Sequence, residues 1–477
     1  MNSSKEKKSI ILIFLVFVIL SLLVPISFGD DMDWGGAGGL ERLANGFENY
    51  NGRYFGHFVI LGISRSLALR VLIYSLVNTG IVILISRLVR AKHYSTMLMT
   101  TLLLLSMPAK VYGQTFGWYS GFANYNVGIA FSLLMLYLLM YNKNALVILL
   151  TSFSAQLFME NITIYNVFAS IVCLFIFTET KLYKKLLSVF GTLLGAVVMF
   201  SNGVYHQIDA GVDGYRTIDF QSIGQVFSSA YIKYLFINNW VLVLVLTVCV
   251  ISVCKNNKKY QFTNLYIGAL GSLILFLTIS NLNFNNIPYS ITIIVTLLCL
   301  VYLVTIAYVI FTADSFKENR NILIFYGVSA GVILAPFLVI TPFGPRAAYT
   351  SYIFLVLVTA SFWDVLISTI RSSNLVNYLK LSLSVVILCL FTIHISNRVV
   401  MEERMSSMEK SESNTYIISD VPFPDYGQHL SPVMSLKISP QTFREKYGFN
   451  EHDEIKFIPY KNEKYKELEI RRKEMEK

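Results

Sequence analysis

Three aspartates fall within four positions, Asp30, Asp31 and Asp33, directly after the first apolar run and beside Trp34. Paired carboxylates where water meets lipid suit a general base, because partial desolvation and mutual repulsion push one pKa upward. Asp31 and Asp30 are therefore the candidate catalytic residues. The competing reading is the capping of a short helix, and it is the one favoured for Asp33. Three arginines can hold a phosphate, because a planar guanidinium pairs two of its oxygens at once. They are Arg53 in Asn51-Gly52-Arg53-Tyr54, Arg216 in Asp213-Gly214-Tyr215-Arg216, and Arg346 at the end of Thr341-Pro342-Phe343-Gly344-Pro345-Arg346. An arginine at a helix end often only snorkels to the interface. Around Arg346, proline and glycine fix the direction of the chain instead. Arg53, close in sequence to the acids, can also serve to orient them.

Aromatic and amide side chains supply a third chemistry. A sugar presents C–H groups on one face and hydroxyls around its edge, which suits an aromatic face flanked by Asn and Glu. Trp118, Asn124 and Tyr125 occur together in Gly117–Tyr125, Glu160 interrupts two adjacent apolar runs, and Trp34 and Asn51 flank the acidic cluster. These six are the candidate sugar or acceptor contacts. The competing reading is the belt of Trp and Tyr found at any membrane interface. His57 and His206 are isolated and read as polar loop residues rather than metal ligands.

The elements that must position these groups are apolar. With 55 % hydrophobic and 14 % charged residues and a mean hydropathy of +0.57, the chain reads as a polytopic membrane protein. Runs suited to spanning lie at 9–28, 71–88, 94–109, 126–141, 144–159, 164–179, 186–202, 239–254, 264–280, 288–311, 322–340, 348–369 and 379–396. The fold expected is all-α with about thirteen transmembrane helices over residues 1–396. A small extracytoplasmic α+β tail follows at 397–477. In that tail Met401–Lys410 reads as helix, Thr415–Ile418 and Glu454–Ile458 as strands, and Lys461–Lys477 as a charged helix.

Lys and Arg fill alternate gaps, from Lys5, Lys7 and Lys8 through Arg87, Arg90, Lys92 and Lys143 to Lys317, Arg320 and Arg371. That phase predicts a cytoplasmic N-terminus and puts the polar loops, 29–70 and 203–238 above all, on the outer face. Within those loops Leu40–Ala44, Phe58–Leu61 and Val226–Phe236 read as segments lying in the interface plane. The net charge of +10 is scattered in short groups, so it excludes a phosphate-tracking nucleic-acid stripe. The five cysteines, all in or beside apolar runs, make neither a disulfide framework nor a zinc pattern.

Taken together, the acids after the first run, the Asn51–Tyr54 knot, Trp118–Tyr125, Glu160 and the Pro342–Arg346 corner resemble the GT-C membrane glycosyltransferases. The likeness is to the bacterial branch that decorates surface polysaccharides. It implies inverting transfer of a sugar from a polyprenyl-phosphate donor to a glycan or teichoic-acid-type acceptor, at the outer face of a bacterial cell membrane. Asp31 or Asp30 would be the base, and Arg346 or Arg216 would neutralise the leaving phosphate. The resemblance implies no nucleotide cofactor; Asp33 leaves room for a divalent cation, which is not expected. A polysaccharide polymerase or ligase is the alternative enzyme, and a lipid-linked sugar transporter the alternative without catalysis. A transporter would bury ionisable groups in mid-span, where this chain has almost none apart from Asp364 near one end.

Overall fold

The structure is a computed structural model. It describes every residue except 1–2, 49, 208–216, 256–257, 280–287, 342, 371–372, 409–414, 431–449, 451–452, 459 and 461–477. Each apolar run of the sequence lies on a helix. α1 (Ser3–Leu23) ends two residues before Pro25, whose ring disfavours helical geometry in the preceding residue. The long first loop folds into α2 (Asp30–Gly35), α3 (Ala37–Ala44) and α4 (Tyr54–Arg65). Then come α5 (Leu67–Leu88), α6 (Ser95–Leu105) and the short α7 (Ala109–Gly113). α8 (Tyr119–Met140), α9 (Ala145–Ser154), α10 (Glu160–Ile176) and α11 (Leu182–Phe200) follow. α12 (Ile223–Ile237) meets α13 (Trp240–Cys254) at a 67° bend. α14 (Gln261–Ile279), α15 (Tyr289–Thr312), α16 (Arg320–Leu338), α17 (Pro345–Ile370) and α18 (Ser373–Met408) complete the bundle.

Among the described residues, eight helices are long and apolar enough to cross a membrane, or nine if the bent pair counts as one span. The chain is thus an all-α polytopic membrane protein. The thirteen expected spans are not all of spanning length. The runs at 94–109, 144–159 and 164–179 yield only α6, α9 and α10, and the first turns of α1 hold Lys5, Glu6, Lys7 and Lys8. The reason is local: the chain leaves α6 at Ser106, just before Pro108, and leaves α9 at Ala155 for a turn that ends at Glu160. A ten-residue helix is about 15 Å long, half the hydrocarbon thickness. Apolar composition does not reveal such a turn.

α17 is the buried axis, packed against α16, α13 and α6, while α1 lies along α5 and α5 along α8. Outward-facing apolar side chains such as Ile279 and Phe175, 82 % and 76 % exposed, are where lipid tails belong. The polar groups collect at two opposite ends. At one end Arg87 pairs with Glu6 at 2.6 Å, Tyr141 donates to the Arg87 carbonyl, and Lys184 donates to the carbonyls of Asn142 and Lys143. There the Asp364 carboxylate accepts from the Lys92 and His93 amides and from Thr96 Oγ1, capping α6 from a distance. The other end is built from α2, α4 and the N-termini of α8, α10 and α17.

The tail returns to that second end. β1 (Thr217–Ile218) pairs antiparallel with β2 (Ile340–Thr341) just ahead of α17. In the tail β3 (Thr415–Ser419) pairs parallel with β4 (Glu454–Ile458), Thr415 opposite Glu454. Between them, Val421–Leu430 docks on α7. The buried Asn397 side chain donates to the Phe423 carbonyl and accepts from the Phe423 amide, both at 2.9 Å. Gly113 and Gly117 let the Asp425 and Tyr426 carbonyls approach so closely that any β-carbon there would collide. The expected helix at Lys461–Lys477, the loop at 281–287 and Pro342 lie outside the described residues.

Replacing Asn397 with alanine removes both bonds to Phe423 and costs about 1–3 kcal/mol. The expected outcome is earlier proteolytic cleavage within Val421–Leu430, with the helical content by circular dichroism unchanged.

Candidate functional site

Gly29, at φ 79°, makes a turn that a residue with a side chain rarely adopts, and it aims the first two residues of α2 in different directions. Asp31 goes inward and is 1 % exposed. Its Oδ1 accepts from the Ser120 amide at 2.8 Å and from Ser120 Oγ at 2.6 Å; its Oδ2 accepts from the amides of Ser27 and Tyr119. Tyr119 and Ser120 open α8, so this carboxylate satisfies orphan amides at the positive end of the helix. Burial raises its pKa, and the hydrogen bonds from Ser120 and Ser27 oppose the shift. Asp31 is held as a cap, out of the cleft lining, which corrects its ranking as the leading base.

Asp30 goes the other way and lines a cleft with Trp34, Asn51, Arg53, Trp118, Asn124, Tyr125 and Arg346. Its carboxylate makes no hydrogen bond among the described residues. Burial raises its pKa most; Arg346 is the largest influence drawing it down, and Asp33 adds to the rise. Arg346 is the second residue of α17, and its amide donates to Gln114 Oε1 at 3.2 Å. Its guanidinium lies 5.5 Å from the centre of the Trp118 ring and pairs with no carboxylate among the described residues. A cation at a helix N-terminus opposes the helix dipole, so an anion there would be bound by both. Trp118 is buried, and its Nε1 hydrogen has no partner among the described residues, leaving a donor for a ligand oxygen.

Arg53 and Glu160 form the opposite wall. They pair bidentately at 3.0 and 2.8 Å, and Tyr205 donates to Glu160 at 2.8 Å. Arg53 is thereby engaged with a carboxylate rather than presented to a phosphate. Glu160, at the first turn of α10, is likewise occupied as its partner. Trp34 stacks on His57 at 4.9 Å and carries the Arg42 guanidinium 4.8 Å from its ring centre, while Arg42 pairs with Asp33. This cluster braces α2 against α4. His57 Nε2 donates to the Asn51 carbonyl at 3.2 Å, and burial with the nearby Arg53 charge depresses its pKa to about 3, so it is neutral.

Asn124 and Tyr125 sit where α8 loosens into a π-helical turn, Phe122–Asn126, a feature common at functional sites. The Asn124 Oδ1 presses against Gly56, where a side chain would collide. The cleft encloses about 50 Å³, room for a few waters. Arg216 lies outside the described residues. Among the described residues no group of three or more His, Cys, Asp or Glu side chains converges on a metal site.

Ser120, Tyr50, His57 and Tyr205 complete the surroundings without having been nominated from sequence. Ser120 stands inside the aromatic segment already singled out, and its signal was the need of α8 for a cap. Tyr205 carried none, because it reaches Glu160 from a loop 45 residues away.

Asp31→Ala strands three amides and one hydroxyl and is expected to destabilise the protein by roughly 3 kcal/mol or more. A thermal melt in detergent checks this, with Asp30→Asn expected to unfold like wild type. No protein-family model, no curated protein and no solved structure matches this chain.

Proposed function

We propose that the chain is a GT-C-type glycosyltransferase of the bacterial cell membrane, moving a sugar from a polyprenyl-phosphate donor to a glycan or teichoic-acid-type polymer. The observation that carries the reading is the shared cleft of Asp30 and Arg346: a carboxylate and a guanidinium without ion-pair partners among the described residues, beside aromatic and amide groups. In this reading the N-terminus is cytoplasmic, and the cleft and the tail are extracytoplasmic. The shorter α6, α9 and α10 serve as partial or tilted spans within the thirteen-run topology.

The transfer is a single inverting displacement. Asp30 takes the proton of the acceptor hydroxyl as its oxygen attacks the anomeric carbon. The bond from that carbon to the phosphate oxygen breaks, and the electron pair leaves with polyprenyl phosphate. Arg346 and the amides opening α17 neutralise the phosphate. Trp118 and Tyr125 offer faces to the sugar ring, while Asn51 and Asn124 stand at its edge. Arg53 and Glu160 hold the wall between α4 and α10 instead of touching phosphate. Desolvation gives Asp30 the basicity that a surface carboxylate lacks.

In vesicles carrying a radiolabelled polyprenyl-phosphate hexose and a glycan acceptor, Asp30→Asn is expected to cut transfer about a thousandfold while Asp31→Asn retains activity in proportion to its folded fraction. Equal turnover by wild type and Asp30→Asn removes the base from this mechanism. Arg346→Ala should lose far more donor use than Arg346→Lys, since lysine keeps the charge but not the fork. The rate needs Asp30 ionised, so its acid limb should lie above the ordinary aspartate range. Loss of the Arg346 charge in Arg346→Gln should move that limb to higher pH, because Arg346 favours the ionised carboxylate.

A further inference from the structure

The opposite end of the molecule holds a cavity of about 540 Å³ between the C-terminal end of α5, the connection from α15 to α16, and the last turns of α17. That volume is in the range of ligand sites and far larger than the cleft. Its floor includes Leu88, Val89, Ile322 and Leu323, and its rim carries Arg90, Lys92 and Lys317 with Asp314 and Glu318. The third acid, Asp364, is already occupied by the two amides and the hydroxyl that it caps.

Among the described residues none of the five rim charges has an opposite charge within ion-pair distance, although both signs line one cavity. Arg90 has φ 52°, in the left-handed region that a long side chain rarely adopts, and its Nη1 donates to Asn319 Oδ1 at 3.2 Å. The guanidinium is thus held at the cavity by a strained backbone and a neutral partner, not by a carboxylate. Arg90, Lys92 and Lys317 supply three cations to a phosphate, set against the carboxylates of Asp314, Glu318 and Asp364 on the same lining.

We propose that this cavity binds the phosphate headgroup of a membrane lipid, with Arg90, Lys92 and Lys317 facing the phosphate and the apolar floor under its glycerol and first methylenes. Basic groups at the ends of spanning helices meet headgroup phosphates, and a polar rim over an apolar floor matches an amphiphile better than a free anion. Arg346 and Asp364 lie on one helix eighteen residues apart, about 27 Å, so the lipid site and the cleft are separate.

The test is thermal unfolding of the full chain in dodecyl maltoside with added phosphatidylglycerol, a phosphate-free diglucosyl diacylglycerol, or sodium phosphate. Phosphatidylglycerol is expected to raise the midpoint of wild type by about 3 °C, with the glycolipid and sodium phosphate giving little. Arg90→Ala with Lys317→Ala should lose most of that rise, and Arg90→Lys alone should keep part of it, which holds the test open if the double variant folds poorly. An equal rise in wild type and the double variant, or an equal rise with the glycolipid, overturns the proposal. A full rise with sodium phosphate alone overturns the lipid as its source and leaves a soluble phosphate site.

Discussion

A single buried carboxylate ties the two halves of the cleft together. Asp31 leaves α2, crosses to the start of α8, and takes up the amides of Tyr119 and Ser120. A carboxylate in so dry a place is tolerated only when several donors compensate its lost hydration. Four do so here, and their geometry fixes α2 against α8. That contact sets where Asp30 points, because the two residues are adjacent on one short helix. It also sets Trp118, the residue just before α8 begins.

The remaining walls follow from the same kind of constraint. Arg53 and Glu160 join α4 to α10 through a two-pronged pair, and Tyr205 ties the loop after α11 to that pair. Pro345 opens α17 with a preset φ, so the corner before it delivers Arg346 at the helix entrance. Val421–Leu430 packs against the cleft residue Trp118, with His429 edge-on to its ring at 5.7 Å. Each ion pair or buried carboxylate used for construction leaves fewer charges for chemistry. In the cleft lining, Asp30 and Arg346 are the acid and base left without ion-pair partners among the described residues.

The apolar runs read correctly as helices because lipid demands that every backbone group be satisfied within its own segment. Their lengths did not, since Pro108 and the turn after Ser154 interrupt runs whose composition stays apolar. The grouping of Lys5, Arg87, Arg90, Lys92, Lys143 and Lys184 at one end follows the alternation of Lys and Arg along the chain. At the cleft, residue types were legible but roles were not. Asp30 and Asp31 are chemically identical, and only the turn at Gly29 sends one into a cap and the other to the surface of a cleft. Arg53 and Arg346 likewise differ only in what stands opposite them.

The sequence by itself determined a membrane-embedded helical bundle and the loops in which polar chemistry collects, because hydropathy and charge act locally along the chain. Only the tertiary structure decided which carboxylate is spent on a helix end and which guanidinium is spent on Glu160. It also brought Asp30 and Arg346, 316 positions apart, to one cleft. The physical reason is that hydrogen bonds and ion pairs saturate: once a partner is taken by folding, the same residue type no longer offers the same chemistry.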